Sequence, residues 1–218
     1  MKTYFTFLTI GFLALIFTSC RVQQPNMTPF EGKIVYHISS DQINISEEDS
    51  TAYQIIYAQD TMVRIENFTS IGKQVYIKHI PKNKAYILMD LSTKKIAIQT
   101  TTEEVPNADE FEFEFAMGSS RIAGRKAKKI KVNIPNIDST FVMQYFEDIS
   151  HEYSEAVPGI PGLPAKYTVI SNDAFMDYEA ILLEERKVSR DLFGIPSDYE
   201  IMSMDAFIDM IQEMEDQP

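Results

Sequence analysis

Residues 110–115 read EFEFEF. In extended chain this places Glu110, Glu112 and Glu114 on one face and Phe111, Phe113 and Phe115 on the other, so the stretch is a strand with a wet side and a dry side. The same two-residue period runs outward in both directions. Downstream, "KKIKVNI" sets Ile130, Val132 and Ile134 against Lys129, Lys131 and Asn133, and "TFVMQYF" follows at 140–146. Upstream, "GKIVYHIS", "AYQIIYA", "TMVRIENF", "QVYIKHI", "KAYILMDL" and "KKIAIQTT" are short alternating runs, several of them parted by the turn-like "TSIGK", "PKNK" and "LSTK". "AKYTVIS" and "DYEAILLEERKV" supply two late strands. About eleven strands with short links predict a mainly β, antiparallel domain.

Some strands are apolar on both sides. In "KAYILMDL", Ala85, Ile87 and Met89 oppose Tyr86 and Leu88, and in "FVMQYF", Phe141, Met143 and Tyr145 oppose Val142 and Phe146. Such strands need cover on both faces. The expectation is a strongly curved, half-open sheet with loops or helices across its concave side. One helix is well signalled at 203–214: Ser203 as N-cap, Asp205 in the first turn, and an apolar stripe of Phe207, Met210, Ile211 and Met214 that packs on the sheet. A weaker helical pattern covers "SHEYSEAV" at 150–157.

The amino terminus points to export. "MKTYFTFLTIGFLALIFTSC" has Lys2, an apolar run from Phe5 to Phe17, and small residues before Cys20. The run is too short to cross a bilayer of about 30 Å and has the layout of a signal peptide. Cys20 is the chain's single cysteine, so it makes no internal disulfide. Its position resembles the lipobox of bacterial lipoproteins, which implies a signal peptide at 1–19, lipidation of Cys20, a tether at 20–29 and a single domain at 30–218. A multiply acylated cysteine anchors a protein stably to a membrane. Residues 21–23 lack an acidic cluster, so the expected location is the periplasmic side of the outer membrane. With Lys2 removed, 19 basic residues face 32 acidic ones, a formal charge of −13. That balance argues against nucleic-acid partners.

Catalytic motifs are scarce. There is no G-x-S-x-G, and His37, His79 and His151 stand apart. "HEYSE" lacks the second histidine at i+4 that a zinc helix needs. "AGRKAKKIK" lacks phosphate-loop spacing, and Gly124 there reads as a turn or bulge residue. No cofactor, metal or enzymatic activity is expected. Two readings remain for Phe111, Phe113 and Phe115: ordinary core packing, or the wall of an apolar ligand cavity in the curved sheet. The corresponding functions are a carrier of a lipid or other apolar molecule, and an interaction lipoprotein serving as accessory subunit of an envelope assembly.

"VPGIPGLP", residues 157–164, holds two Pro-Gly pairs that predict consecutive type II turns. Its "GIPGLP" resembles the GLPGLI signature of a family of exported bacterial proteins. With "FEGKIVYHI", "IAGRKAKKIKV" and "LFGIPSDYEIMSMDAF", the layout is similar to lipoproteins carrying domain of unknown function 4412. The resemblance implies an architecture like that of lipoprotein carriers of the LolA and LppX type, half-open barrels with an apolar concave face. It implies no activity and no functional residues.

Overall fold

The computed structural model describes residues 29–69, 72–91, 94–100, 111–134, 137, 139–171 and 174–215. The eleven expected strands all form: β1 (Gly32–Ser39), β2 (Tyr53–Gln59), β3 (Met62–Thr69), β4 (Gly72–His79), β5 (Lys84–Leu91), β6 (Lys94–Thr100), β7 (Glu112–Ile122), β8 (Arg125–Asn133), β9 (Thr140–Phe146), β10 (Leu163–Ser171) and β11 (Ala174–Glu185). A twelfth, β12 (Glu200–Ser203), leads into helix α1 (Met204–Glu215). They make one sheet in the order β12-β6-β5-β4-β3-β2-β1-β11-β10-β9-β8-β7. Every pairing is antiparallel except β12 on β6.

The sheet curls without closing. Buried side chains from β3 (Val63, Ile65) and β8 (Ala127, Ile130, Val132) belong to one cluster although five strands lie between them. The inner set includes Ile34 and Tyr36 of β1, Ile56 of β2, Met143 and Tyr145 of β9, and Tyr167 of β10. Over this concave side runs the segment 147–162. Its Ile149, Tyr153, Val157 and Ile160 are buried, and the Tyr153 hydroxyl donates to the Asp60 carbonyl at 2.7 Å while accepting from the Phe30 amide at 3.0 Å. The weaker helical pattern becomes a short 3-10 turn, His151–Tyr153, capped by Ser150, whose side chain accepts from the Glu152 amide.

The two Pro-Gly pairs differ. Val157–Ile160 is the expected turn, with Gly159 at φ +78° and a bond from the Ile160 amide to the Val157 carbonyl. Gly162 has no positive φ, which corrects the expectation of a second type II turn. A Cβ there would sit 2.2 Å from the Phe146 carbonyl oxygen, so glycine is needed for close approach of two backbones.

A second, smaller core lies on the outer face. Val75 and Ile77 of β4, Leu88 of β5 and Ala97 of β6 are buried under Val188 and Phe193 of a strap that crosses from β11 to β12. This is the cover that the two-sided apolar β5 requires, whereas Val142, on the outer face of β9, stays exposed. Arg64 ties the strap down, donating to the Leu192 carbonyl at 3.0 Å while its Nε sits 2.7 Å from Glu66. Beyond the strap, α1 packs against β6 and β12 with Phe207, Met210 and Ile211 half-buried. Ser203 accepts from the Ala206 amide, the N-cap read from sequence.

β7 forms the other edge of the sheet. Its hairpin to β8 turns at Ala123 and Gly124, with φ +45° and +77°, the paired positive values of a type I′ turn. Between Phe115, opposite Ile130, and Ser119, opposite Lys128, three residues of β7 face one of β8. This bulge at 116–118 places Gly118 at φ +103° and leaves Met117 99% exposed.

Candidate functional site

On the concave face, between the β2–β6 half of the sheet and strands β10 and β11, lies a cavity of about 400 Å³. Ile65, Ile87, Ala156 and Val169 supply its apolar wall, and Tyr76, Tyr167 and Tyr178 its aromatic one. Register explains the convergence. Ile65 of β3 lies opposite Tyr76 of β4, which lies opposite Ile87 of β5, and Tyr167 of β10 lies opposite Tyr178 of β11. Each pair therefore points to the same face.

The tyrosines are ordered by one another. The rings of Tyr167 and Tyr178 stack at 4.9 Å between centroids with 11° between planes, and Tyr36 meets Tyr167 edge-on at 5.6 Å. Tyr36 lies beneath the site and donates to the Pro164 carbonyl at 2.6 Å. Burial pushes the hydroxyls of Tyr36, Tyr76, Tyr167 and Tyr178 above the ordinary phenol range, and the Glu155 carboxylate adds to the shift at Tyr76. All four stay protonated, as hydrogen-bond donors, at neutral pH.

Polar groups line one side. The Tyr167 hydroxyl donates to Gln54 Oε1 at 3.4 Å, and Gln54 Nε2 donates to Asn67 Oδ1 at 2.8 Å. At the rim, Ser154, Glu155 and Ala156 come from the covering segment. Lys78 Nζ bonds Glu155 Oε1 there, and the lysine side chain is only 8% exposed. A buried ammonium of this kind persists because a carboxylate partners it. Nearby, burial holds the His151 imidazole below its ordinary pKa, against the pull of the Glu152 carboxylate and with a smaller push from Lys78. Among the described residues no cluster of His, Cys, Asp and Glu could hold a metal ion.

The phenylalanines of 111–115 are elsewhere. Phe113 and Phe115 lie opposite Val132 and Ile130, on the inward face as their spacing predicts. Phe111 and Phe113 stack at 6.5 Å and pack half-buried on the main core, whereas Phe115 is 72% exposed. None of the three is among the residues described around the tyrosine cavity. The cause is position: β7 is an edge strand, so its inward side chains lose cover as the chain nears the bulge. Glu112 and Glu114 face water as expected, with Glu114 3.1 Å from Lys131. Cys20 lies outside the described residues.

The residues that sequence reasoning passed over share one signal. Gln54, Asn67 and Lys78 are polar yet in phase with inward-facing neighbours: the buried Ile56 and Ala58 for the first, the buried Val63 and Ile65 for the second, and the half-buried Tyr76 for the third. A polar residue on the dry phase of a strand marks a satisfied internal bond or a site.

No family model and no curated protein matches the chain. Among solved structures it is similar to PNGF-II, in a C2 and a P21 crystal form, each at a TM-score of 0.53 and at 18% and 16% sequence identity. These alignments cover 83% of this chain but 32% and 33% of PNGF-II, so the chain spans about a third of that protein's length. At such identity the likeness is one of fold alone. No helix among the described residues is long and apolar enough to cross a membrane.

Proposed function

We propose that this protein is an exported, lipid-anchored binding protein that takes up an apolar small molecule, without catalysis, in the concave face of its sheet. The observation that carries this reading is the cavity of about 400 Å³ with apolar and tyrosine walls. It falls in the range of about 300–1,000 Å³ typical of ligand sites, and a mostly apolar wall with few polar groups is their usual character. Such a volume fits one small molecule or a single acyl chain. Cys20, by its resemblance to a lipobox, is the anchor, and the resemblance to exported lipoproteins with domain of unknown function 4412 supports the same placement.

Native mass spectrometry of protein purified without detergent tests the binding. A co-purifying apolar adduct that is lost when Ile87→Trp fills the cavity supports the reading, and a bare mass with no uptake of a neutral fluorescent apolar probe refutes it. The anchor is tested separately by metabolic labelling with an alkyne fatty acid. Label should appear on the protein and vanish with Cys20→Ala.

One observation favours the second reading, an interaction lipoprotein of an envelope assembly. Phe115 and Met117 stand exposed on the β7 edge, where apolar side chains suit a protein contact. Cross-linking in cells from position 117 distinguishes the two, because a pure binder gives no discrete product.

A further inference from the structure

Resting on the reading of the cavity as a ligand site, we propose that its occupant is a neutral, ring-containing molecule that presents a hydrogen-bond acceptor oxygen, and that anionic amphiphiles such as fatty acids are excluded. The hydrogen bonds inside the wall set the polarity. The Tyr167 hydroxyl occupies Gln54 Oε1, and Gln54 Nε2 occupies Asn67 Oδ1. This direction of bonding uses the acceptor of Asn67 and leaves its amide N–H groups to give. The hydroxyls of Tyr76 and Tyr178, both in the wall, have no hydrogen-bond partner among the described residues. Both are held protonated by burial. The wall thus offers donors from three side chains, and a ligand oxygen satisfies donors best when it is an acceptor.

Charge decides which acceptor. The Lys78 ammonium is taken up by Glu155, so the rim carries no net positive charge for a ligand carboxylate to meet. An anion here would lose its water and face the Glu155 carboxylate, a cost that uncharged donors do not repay. A ketone, ester, ether or alcohol oxygen carries no such cost. The flat stacked faces of Tyr167 and Tyr178 beside the donors suit a ring better than a flexible chain.

Three naphthalene probes test this by isothermal titration into the purified full chain. The neutral ketone 2-acetonaphthone should bind about tenfold tighter than 2-ethylnaphthalene, which has the same shape but no acceptor, the worth of one hydrogen bond. The anion 2-naphthoate should bind at least tenfold more weakly than the ketone. The triple variant Asn67→Leu/Tyr76→Phe/Tyr178→Phe should erase the advantage of the ketone while leaving 2-ethylnaphthalene unchanged, and Tyr76→Phe/Tyr178→Phe should at least reduce it if the triple variant folds poorly. Glu155→Gln should strengthen 2-naphthoate by freeing Lys78, with the ketone unaffected. Equal binding of ketone and ethyl compound, or 2-naphthoate binding as tightly as the ketone, overturns the proposal and leaves the cavity reading standing. Failure of all three probes to bind overturns both.

Discussion

Gly159 and Gly162 are three residues apart and are glycine for different reasons, one for a left-handed φ and the other for want of space. Gly162→Ala drives a methyl into the Phe146 carbonyl, which packed backbone on both sides cannot yield, and should cost about 3 kcal/mol in chemical denaturation. Gly124→Ala, at φ +77° with nothing within 4 Å, should cost only the left-handed penalty of about 1 kcal/mol. Tyr36 gives a pH signature. Its folded pKa lies above the unfolded value of 10.0, so above pH 10 the unfolded chain releases a proton that the folded one keeps, and stability falls as pH rises. Tyr36→Phe should lower stability at pH 8 by about 1–3 kcal/mol, because the Pro164 carbonyl loses its donor. Above pH 10 the gap between wild type and variant should narrow by up to about 1.4 kcal/mol per pH unit, measured by urea unfolding. At this scale the sequence was half legible. The positive φ of Gly159 and the turn at Gly124 follow from local chemistry, whereas the tightness at Gly162 depends on a strand that pairs only after folding.

Among the elements, the strap between β11 and β12 carries more than its irregular conformation suggests. Phe193 is 4% exposed and closes the outer core with Val188. Phe193→Ala should cost about 3–5 kcal/mol by thermal or urea unfolding and speed amide exchange in β4 and β5. The surface ion pairs that accompany the strap, Lys95 with Asp198 and Lys94 with Glu200, are exposed. Replacing Lys95 by Ala should therefore change stability by less than about 1 kcal/mol. Strands with strict alternation were legible one by one, and so was α1 through Ser203. β12 was not, because four residues paired in parallel with β6 carry no period of their own and depend on a partner about a hundred positions away. The strap was equally silent, since its buried Val188 and Phe193 stand on either side of one 3-10 turn's start and follow neither a strand nor a helix period.

Across the whole molecule, class was readable and order was not. Alternation implies antiparallel strands, but nothing local says that Ile34 of β1 pairs with Leu183 of β11 and thereby joins the two halves of the sheet. The cavity exists only because of that join, and no period within a single strand foretells it. Strands β3–β5 lie between the concave face and the strap-covered outer core, while β7 and β12 each lack a neighbour on one side. Hydrogen exchange should therefore be slowest in β3–β5 and fastest in β7 and β12, and uniform protection across the sheet would contradict this layering. An open sheet of twelve strands also has two ends at which a foreign strand could add, the route by which such proteins polymerise. One end is short and flanked by α1. At the other, the bulge at 116–118 breaks the ladder midway along β7 and thrusts Met117 outward, so an incoming strand finds no straight run of partners beyond Phe115. The irregularity in the edge thus guards against fibre growth, and excising two of those three residues would bring β7 back into register with β8 and restore an unbroken template along this edge, making it the seed of the protein's own precipitation.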